Sequence, residues 1–413
     1  MDLTAEEEAM LRGERGETVR EALALQLEVA RFYDAKRFVP VTNVHMMGDI
    51  EVMGDSGLAH LARLARAGAR CEVATTTNAR CFDFAHVDNL GQDPREADKE
   101  RHLITHLRDM NVVTTDTCIN YQTVYQPHFG EHVAWGDTGT VIWANSVCGA
   151  RSNFESGPAA MAAAMTRRTP EYGFHLDEHR KATFVVDVQA DVRDFAEWGA
   201  LAKLVGESHQ SYFEVPVFTG IRRSPTGDEL KHLGASLASY GSMAMYHMVG
   251  VTPEAPTLEA ALGGNTPRET IRVTDTDIQG VFAAYRNLDG NCNFVVFSGP
   301  QLSLLEMRGL ADLFDGRKVH SGTTVFATTS NGVLSAARAL GYVQTLEEAG
   351  VTILEGVCVY ILQNLSPMRV KNGWTNMVSN SAKIVNTITA HKFNTILRRT
   401  RDCVDIACTG VFR

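Results

Sequence analysis

Short apolar runs alternate with amphipathic stretches along most of the chain, and the runs rich in branched and aromatic residues have strand length. The pattern predicts an N-terminal helix that opens after Thr4, with Glu6, Glu7 and Glu8 in its first turn, and ends near Arg31. Strands are predicted at 38–42, 71–74, 140–144, 181–188, 211–218, 293–297, 351–354 and 377–378, and helices at 57–67, 159–165, 194–205 and 302–314. Strands alternating with helices imply an α/β protein whose sheets are covered by helices on both faces. Residues 252–274, rich in Pro, Gly, Thr and acids, form the best internal boundary, with a surface excursion as the alternative; as a boundary they divide the chain into lobes of about 1–275 and 276–413.

Composition narrows the class. The chain has 413 residues, 44% of them hydrophobic and 21% charged, enough for a large core split over more than one lobe. A formal net charge of -10 without basic runs argues against binding nucleic acid or an acidic membrane. No apolar segment reaches the roughly 18 residues of a membrane span, and the N-terminus reads as a helix start rather than a leader, so a cytoplasmic protein is expected. There the eight cysteines are expected as reduced thiols, either buried small hydrophobes or ligands; none forms a CxxC pair.

Candidate chemistry is concentrated in a few polar segments. Residues 145–158 gather Asn145, Ser146, Cys148, Arg151, Ser152 and Asn153 ahead of an Ala-rich helix that begins at Pro158. A helix N-terminus with an arginine beside it suits a carboxylate or phosphate; the alternative is a polar turn with Arg151 in a structural salt bridge. Downstream, Ser379, Asn380 or Ser381 can cap a helix that carries Lys383 in its first turn. A cation there opposes the helix dipole unless an anion joins it, so Lys383 is a candidate for a substrate carboxylate or phosphate, with a solvated lysine as the alternative. Arg80 follows three threonines at a strand end, the usual place for ligand contacts in α/β sheets.

Among the cysteines, Cys118, Cys358 and Cys403 lie at strand ends or in polar segments and make the best local ligand set. Cys408 is five residues from Cys403, about 140° around a helix, so the two do not share one metal. His45, His132, His175, His179 and His247 form no HExxH pattern, and GxSxG, P-loop and Rossmann fingerprints are absent.

Residues 131–153, with Asp116-Thr-Cys118, Ser379-Asn-Ser-Ala-Lys383 and the opening residues 3–16, resemble the large, catalytic part of aconitase X over essentially the whole chain. The resemblance implies an aconitase-like, multi-lobed dehydratase. Bacterial members of that family dehydrate cis-3-hydroxy-L-proline, giving 1-pyrroline-2-carboxylate, and archaeal members dehydrate mevalonate 5-phosphate. It also implies an iron–sulfur centre, [2Fe–2S] favoured, held by Cys118, Cys358 and Cys403. Arg80, Asn145, Ser146, Arg151, Ser152, Asn153 and Asn380 are then expected to bind substrate, with Lys383 and Ser381 as catalytic candidates. Phe297-Ser-Gly-Pro-Gln-Leu-Ser303 stands where the archaeal branch has a Gly-Cys-Pro-His-like sequence, which loses a ligand there and brings the wording closer to the bacterial branch. The small swivelling domain of the single-chain form, which carries the serine base in the superfamily, has no counterpart here, so a separate small subunit is the expected partner. The readings carried forward are hydroxyproline dehydration, mevalonate 5-phosphate dehydration and, third, a small-acid binding protein without turnover.

Overall fold

Phe294–Leu302 is buried at all nine positions, as a strand must be when helices cover both faces of its sheet. It is the centre of a five-stranded sheet, flanked on one side by Thr324–Thr329 and Thr352–Glu355 and on the other by Asn376–Ser379 and Asn394–Leu397. Every pairing in it is parallel. The computed structural model describes residues 1–155, 157–286, 290 and 292–412.

Two further parallel sheets precede this five-stranded one, the third sheet, along the chain. In the first, the strands Val112–Val113, Ala74–Thr77, Asn43–Met46 and Ala134–Trp135 lie side by side in that order. In the second, the order is Thr270–Val273, Phe184–Val188, Pro216–Thr219 and His247–Met248. A separate antiparallel pair joins Phe38–Pro40 to Arg168–Pro170. One continuous apolar core joins the second and third sheets, and another packs the helices Ile50–Arg66, Pro94–Asp109 and Pro158–Thr166 onto the first. Helix starts follow local chemistry: Thr4, Asp194, Thr226, Thr274 and Ser303 each close a capping box.

The α/β class expected from the sequence is the class observed. Several elements differ in detail. Residues 140–144, expected as a strand, belong to the helix Thr138–Trp143 and a π turn, Ala144–Cys148. Thr140, Val141 and Ile142 are buried on every side, so their apolar run has no period that separates helix from strand, and the deciding residue is Asp137, which caps the helix through Gly139 N–H. The threonine run is not a strand-end loop but the strand Ala74–Thr77 itself. At the end of the 252–274 segment, Thr270–Val273 zips in parallel register onto Val185–Val188 as an edge strand. The N-terminal helix is two, Ala5–Leu11 and Glu17–Phe32, parted at Gly13 and Gly16, both at positive φ.

Candidate active site

Ligands in open parallel sheets gather at the carboxyl ends of the strands, and here the carboxyl ends of the first and third sheets meet. From the first sheet come His45, Asn78, Arg80, the Asp116–Cys118 loop and Asp137; from the third come Ser298–Gln301, Cys358 and the Ser379–Lys383 turn. Gly356 O accepts the Arg80 N–H at 2.9 Å, fastening the two edges together.

Cys118 and Cys358 face the same space. Burial, then Asp137 and Cys358, push the Cys118 thiol up to about 12, and burial also raises Cys358. Lys383 lies with them, on the first turn of the helix Ala382–Thr387, which Ser381 caps by accepting Ile384 N–H at 3.3 Å. Burial acts to lower the Lys383 ammonium, but Asp137, then Cys118 and Cys358, outweigh it and hold the lysine above its usual range. Asp137 Oδ1 is 3.6 Å from Lys383 Nζ, beyond hydrogen-bond length. The cation is therefore charged and incompletely partnered, a receptor for a substrate carboxylate.

Gln301 ties the two cysteine loops. Its Oε1 accepts Cys118 N–H, and its Nε2 donates to Asp116 O and Val357 O, each at 3.2 Å. Its own N–H donates to Cys118 Sγ at 3.2 Å, and its carbonyl accepts from the buried Lys231 at 3.1 Å. Beside the loops a cleft of about 540 Å³ is lined by Arg80, Asp116, Thr117, Ser330, Glu355 and Gly356 among others. His45, wholly buried, is held near 4, and so neutral, first by burial. Its Nδ1 bonds Thr76 Oγ1 at 2.8 Å, while Nε2 is without a partner.

The remaining sequence candidates are distributed unevenly. Arg80 is at the site, but its guanidinium is taken by Glu100 at 3.0 Å and by Asp116, so it braces the loop that precedes Cys118. Ser381 donates its proton to Gly299 O at 2.5 Å in addition to capping its helix, and Asn380 Nδ2 donates to Thr400 Oγ1 at 3.1 Å. Residues 145–153 are bound up with one another. Asn145 bonds Ser152 through both its backbone groups and reaches Ala244 O, and Ser146 Oγ accepts Tyr246 N–H. Ser152 Oγ accepts Trp135 N–H, and Asn153 spans Tyr172 O, Phe174 N–H and the Tyr212 hydroxyl. Arg151 donates to His175 O at 2.7 Å and pairs with Asp177, the structural salt bridge that was the alternative reading.

The three-cysteine ligand set does not assemble. Cys403 sits on the buried face of the helix Thr400–Thr409, where its thiol donates to Arg398 O at 3.4 Å and its charged neighbours are Asp194 and Asp402, with Cys292 beside it. Among the described residues no three Cys, His, Asp or Glu side chains converge as a metal site. An iron–sulfur centre anchored by Cys118, Cys358 and Cys403 together therefore does not fit this arrangement; of the three thiols, Cys118 and Cys358 are the two that lie buried beside Lys383. Asp137 and Gln301 were not singled out from the sequence. The signal for Asp137 was its N-cap position before a Gly-containing turn; Gln301 has no signal in the sequence beyond its place in the 297–303 stretch.

Comparison with known proteins gives the family. Models of the aconitase X first, second and third domains match residues 1–178, 182–283 and 292–409. The large subunit of phosphomevalonate dehydratase from Thermococcus kodakarensis is 34% identical over 384 residues, 93% of this chain and 94% of that protein. Cis-3-hydroxy-L-proline dehydratase from Pseudomonas aeruginosa is 32% identical over 390 residues, 92% of this chain but 65% of that protein. The crystal structure of Thermococcus kodakaraensis aconitase X in its holo-form superposes with a TM-score of 0.88 at 31% identity, covering 98% of this chain and 100% of that one.

Proposed function

The chain belongs to the aconitase X family of dehydratases, and from that premise we propose that it is the large subunit of a hydro-lyase that converts cis-3-hydroxy-L-proline to 1-pyrroline-2-carboxylate with a separate small subunit. The observation that carries the substrate class is Lys383: a buried, charged ammonium with one long ionic contact, set beside two thiols at a helix N-terminus. That arrangement suits a single carboxylate. A substrate bearing both carboxylate and phosphate needs further free cations, and Arg80, Arg151 and Lys231 are each already paired with acids of the chain.

In this reading Lys383 takes the substrate carboxylate and stabilises the charge that builds on it as the neighbouring C–H proton leaves. The departing hydroxyl and that proton together make the water released. Asp137 keeps Lys383 charged and in place. The Ser381 hydroxyl donates its hydrogen bond to Gly299 O and accepts a helix N–H, so the base is assigned to the partner subunit. Cys118 and Cys358 would hold an iron–sulfur centre, two protein thiolates favouring a small one such as [2Fe–2S]; bound there, it would supply a Lewis acid for the substrate hydroxyl. Metal binding would release both thiol protons, since each thiol is protonated at neutral pH without it.

Mevalonate 5-phosphate is the second reading, favoured by chain architecture. This chain spans 94% of the Thermococcus large subunit, whereas it spans 65% of the Pseudomonas hydroxyproline enzyme. The third reading, binding without turnover, is set aside, since the relatives are named as dehydratases. Among the described residues no helix is long and apolar enough to cross a membrane.

The test is anaerobic co-purification with the small subunit, followed by assay of both substrates. Cyclic imine from cis-3-hydroxy-L-proline, lost in Lys383→Met, is the expected result; turnover of mevalonate 5-phosphate alone would replace the first reading with the second.

A further inference from the structure

A groove of about 550 Å³ runs between the helices Glu17–Phe32, Ile50–Arg66 and Pro158–Thr166, apart from the cleft described above. Its walls are largely apolar and include four methionines, Met47, Met53, Met161 and Met165. The one carboxylate on its wall, Glu21, is paired with Arg63 at 2.7 Å. Leu25 and Val52 stand at its rim, 42% and 49% exposed. Methionine side chains are flexible and polarisable, and a groove built from them moulds itself to the apolar side chains of another protein.

The apolar surface continues beyond the groove. On the helix Glu17–Phe32, the residues Ala22, Leu25, Val29 and Phe32 follow one another at intervals of three, four and three. That spacing puts them within about 80° of the helix circumference and along roughly 15 Å of its axis. It is the spacing of a helix face that packs against a second helix, yet Phe32 is 79% exposed. Glycines shape the opposite wall. Gly54, at φ 62°, breaks the helix Ile50–Arg66, and Met53 turns back over Gly57, where a Cβ would stand 2.5 Å from Met53 Cβ.

What covers this surface follows from where it begins. Met47 directly succeeds the strand Asn43–Met46 at its carboxyl end, and its Sδ accepts Asn78 Nδ2 at 2.8 Å. A protein that brings a base to Lys383 has to lie over these carboxyl ends, and the apolar wall that starts at Met47 is continuous with them. The Pseudomonas relative has the chain length for such a domain, since the match to this chain takes up only 65% of it. A second copy of this chain would bring no base and, seated on Met47, would stand in that domain's way. We propose that the groove and the Ala22–Phe32 stripe are the seat of the small subunit, which lays an apolar helical segment between Leu25 and Met53. The proposal rests on the two-subunit reading above, and its test separates the two.

The experiment titrates the full-length chain with its own small subunit by calorimetry and reads the mass of the complex by light scattering. Leu25→Glu and Val52→Glu place a charge on exposed positions at the rim, and each is expected to weaken the complex about 10-fold or more. Val370→Glu is the control, an equally drastic change at a valine 69% exposed on the third sheet's layer, and is expected to leave affinity unchanged. A photo-crosslinking benzoylphenylalanine placed at Val52 is expected to give an adduct of one chain with one small subunit. Should a glutamate variant fail to fold, the crosslink decides alone. Wild-type affinity in both rim variants, with no crosslink to the small subunit, would overturn the docking site while leaving the two-subunit reading standing. A crosslink only between two copies of this chain would replace the small subunit by a second copy as the occupant. Failure of the wild-type chain to bind the small subunit at all would overturn both.

Discussion

Lys383 and Asp137 meet across the junction of the third and first sheets, Nζ to Oδ1 3.6 Å, with side chains only 12% and 13% exposed. Each occupies a helix start: Asp137 caps Thr138–Trp143, and Lys383 stands in the first turn of Ala382–Thr387. The acid is where a helix dipole welcomes it and the base is where a dipole opposes it, so the pair is held by mutual charge rather than by local preference. The distance leaves the ammonium donors directed elsewhere, which is what an incoming carboxylate requires.

Replacing Lys383 by Met is therefore expected to lower kcat/KM at least about 100-fold, corresponding to roughly 3 kcal/mol for an unpaired buried carboxylate on the substrate side. Asp137→Asn keeps a cap for Gly139 N–H but strands the lysine charge, and is expected to cost about 3 kcal/mol of stability. Steady-state kinetics of the two-subunit enzyme check the first and denaturant unfolding the second. A Lys383→Met enzyme with unchanged kcat/KM would remove the carboxylate role.

Much of this was legible before any coordinates. Alternation of strands and helices, a helix cap among Ser379, Asn380 and Ser381, and the place of Lys383 in the first turn follow from local rules, and the structure has all three, with Ser381 as the cap. Polar residues of 145–153 misled because a loop rich in Asn, Ser and Arg has the same composition whether it serves a ligand or, as here, satisfies its own buried backbone. Cys403 misled for another reason: sequence says nothing of which helix face is buried against which neighbour, and its face turns to Cys292 and Asp194. Gln301 was invisible, since its partners Asp116, Cys118 and Val357 lie 185, 183 and 56 positions away.

Cys403 supplies a clean discrimination. Cys403→Ala is expected to keep the metal-binding behaviour of the wild type, at a stability cost of about 1 kcal/mol for one buried group. Cys118→Ala and Cys358→Ala are expected to abolish bound iron after anaerobic reconstitution. Iron content with the visible spectrum reads all three; loss of iron in Cys403→Ala would restore the three-cysteine set.

Asp49 governs a pH dependence away from the thiols. It caps the helix Ile50–Arg66, is fully buried, has one carboxylate oxygen without a partner and is raised by burial to about 6. An acid whose folded pKa exceeds its unfolded value near 3.9 binds its proton more tightly in the folded chain, so stability falls as pH rises from about 4 through 6 and is level above. Asp49→Asn retains an oxygen for Val52 N–H and removes that dependence. The variant is expected to exceed the wild type by on the order of 2 kcal/mol at pH 8 and to converge with it near pH 4. Urea unfolding at the two pH values measures the difference; a gap that widens toward low pH contradicts the assignment.

Gly356 tests whether the two cysteine loops depend on their close approach. Its φ of 67° is glycine territory, and a Cβ there would lie 3.1 Å from Asp116 Cβ, itself in a residue at positive φ, two positions before Cys118. Gly356→Ala must therefore absorb the backbone penalty of about 1 kcal/mol and also push the Asp116 loop away from the strand that leads to Cys358. Gly373 provides the control, since its φ is 64° but a Cβ there meets nothing within 4 Å. Both alanine variants are expected to lose about 1 kcal/mol of stability, with Gly356→Ala losing more. Only Gly356→Ala is expected to lower bound iron after anaerobic reconstitution and activity, because only there does the added methyl change the spacing of the thiols. Equal metal affinity in the two variants would show that the loops accommodate the methyl and that the thiol spacing is set by the Gln301 clamp alone.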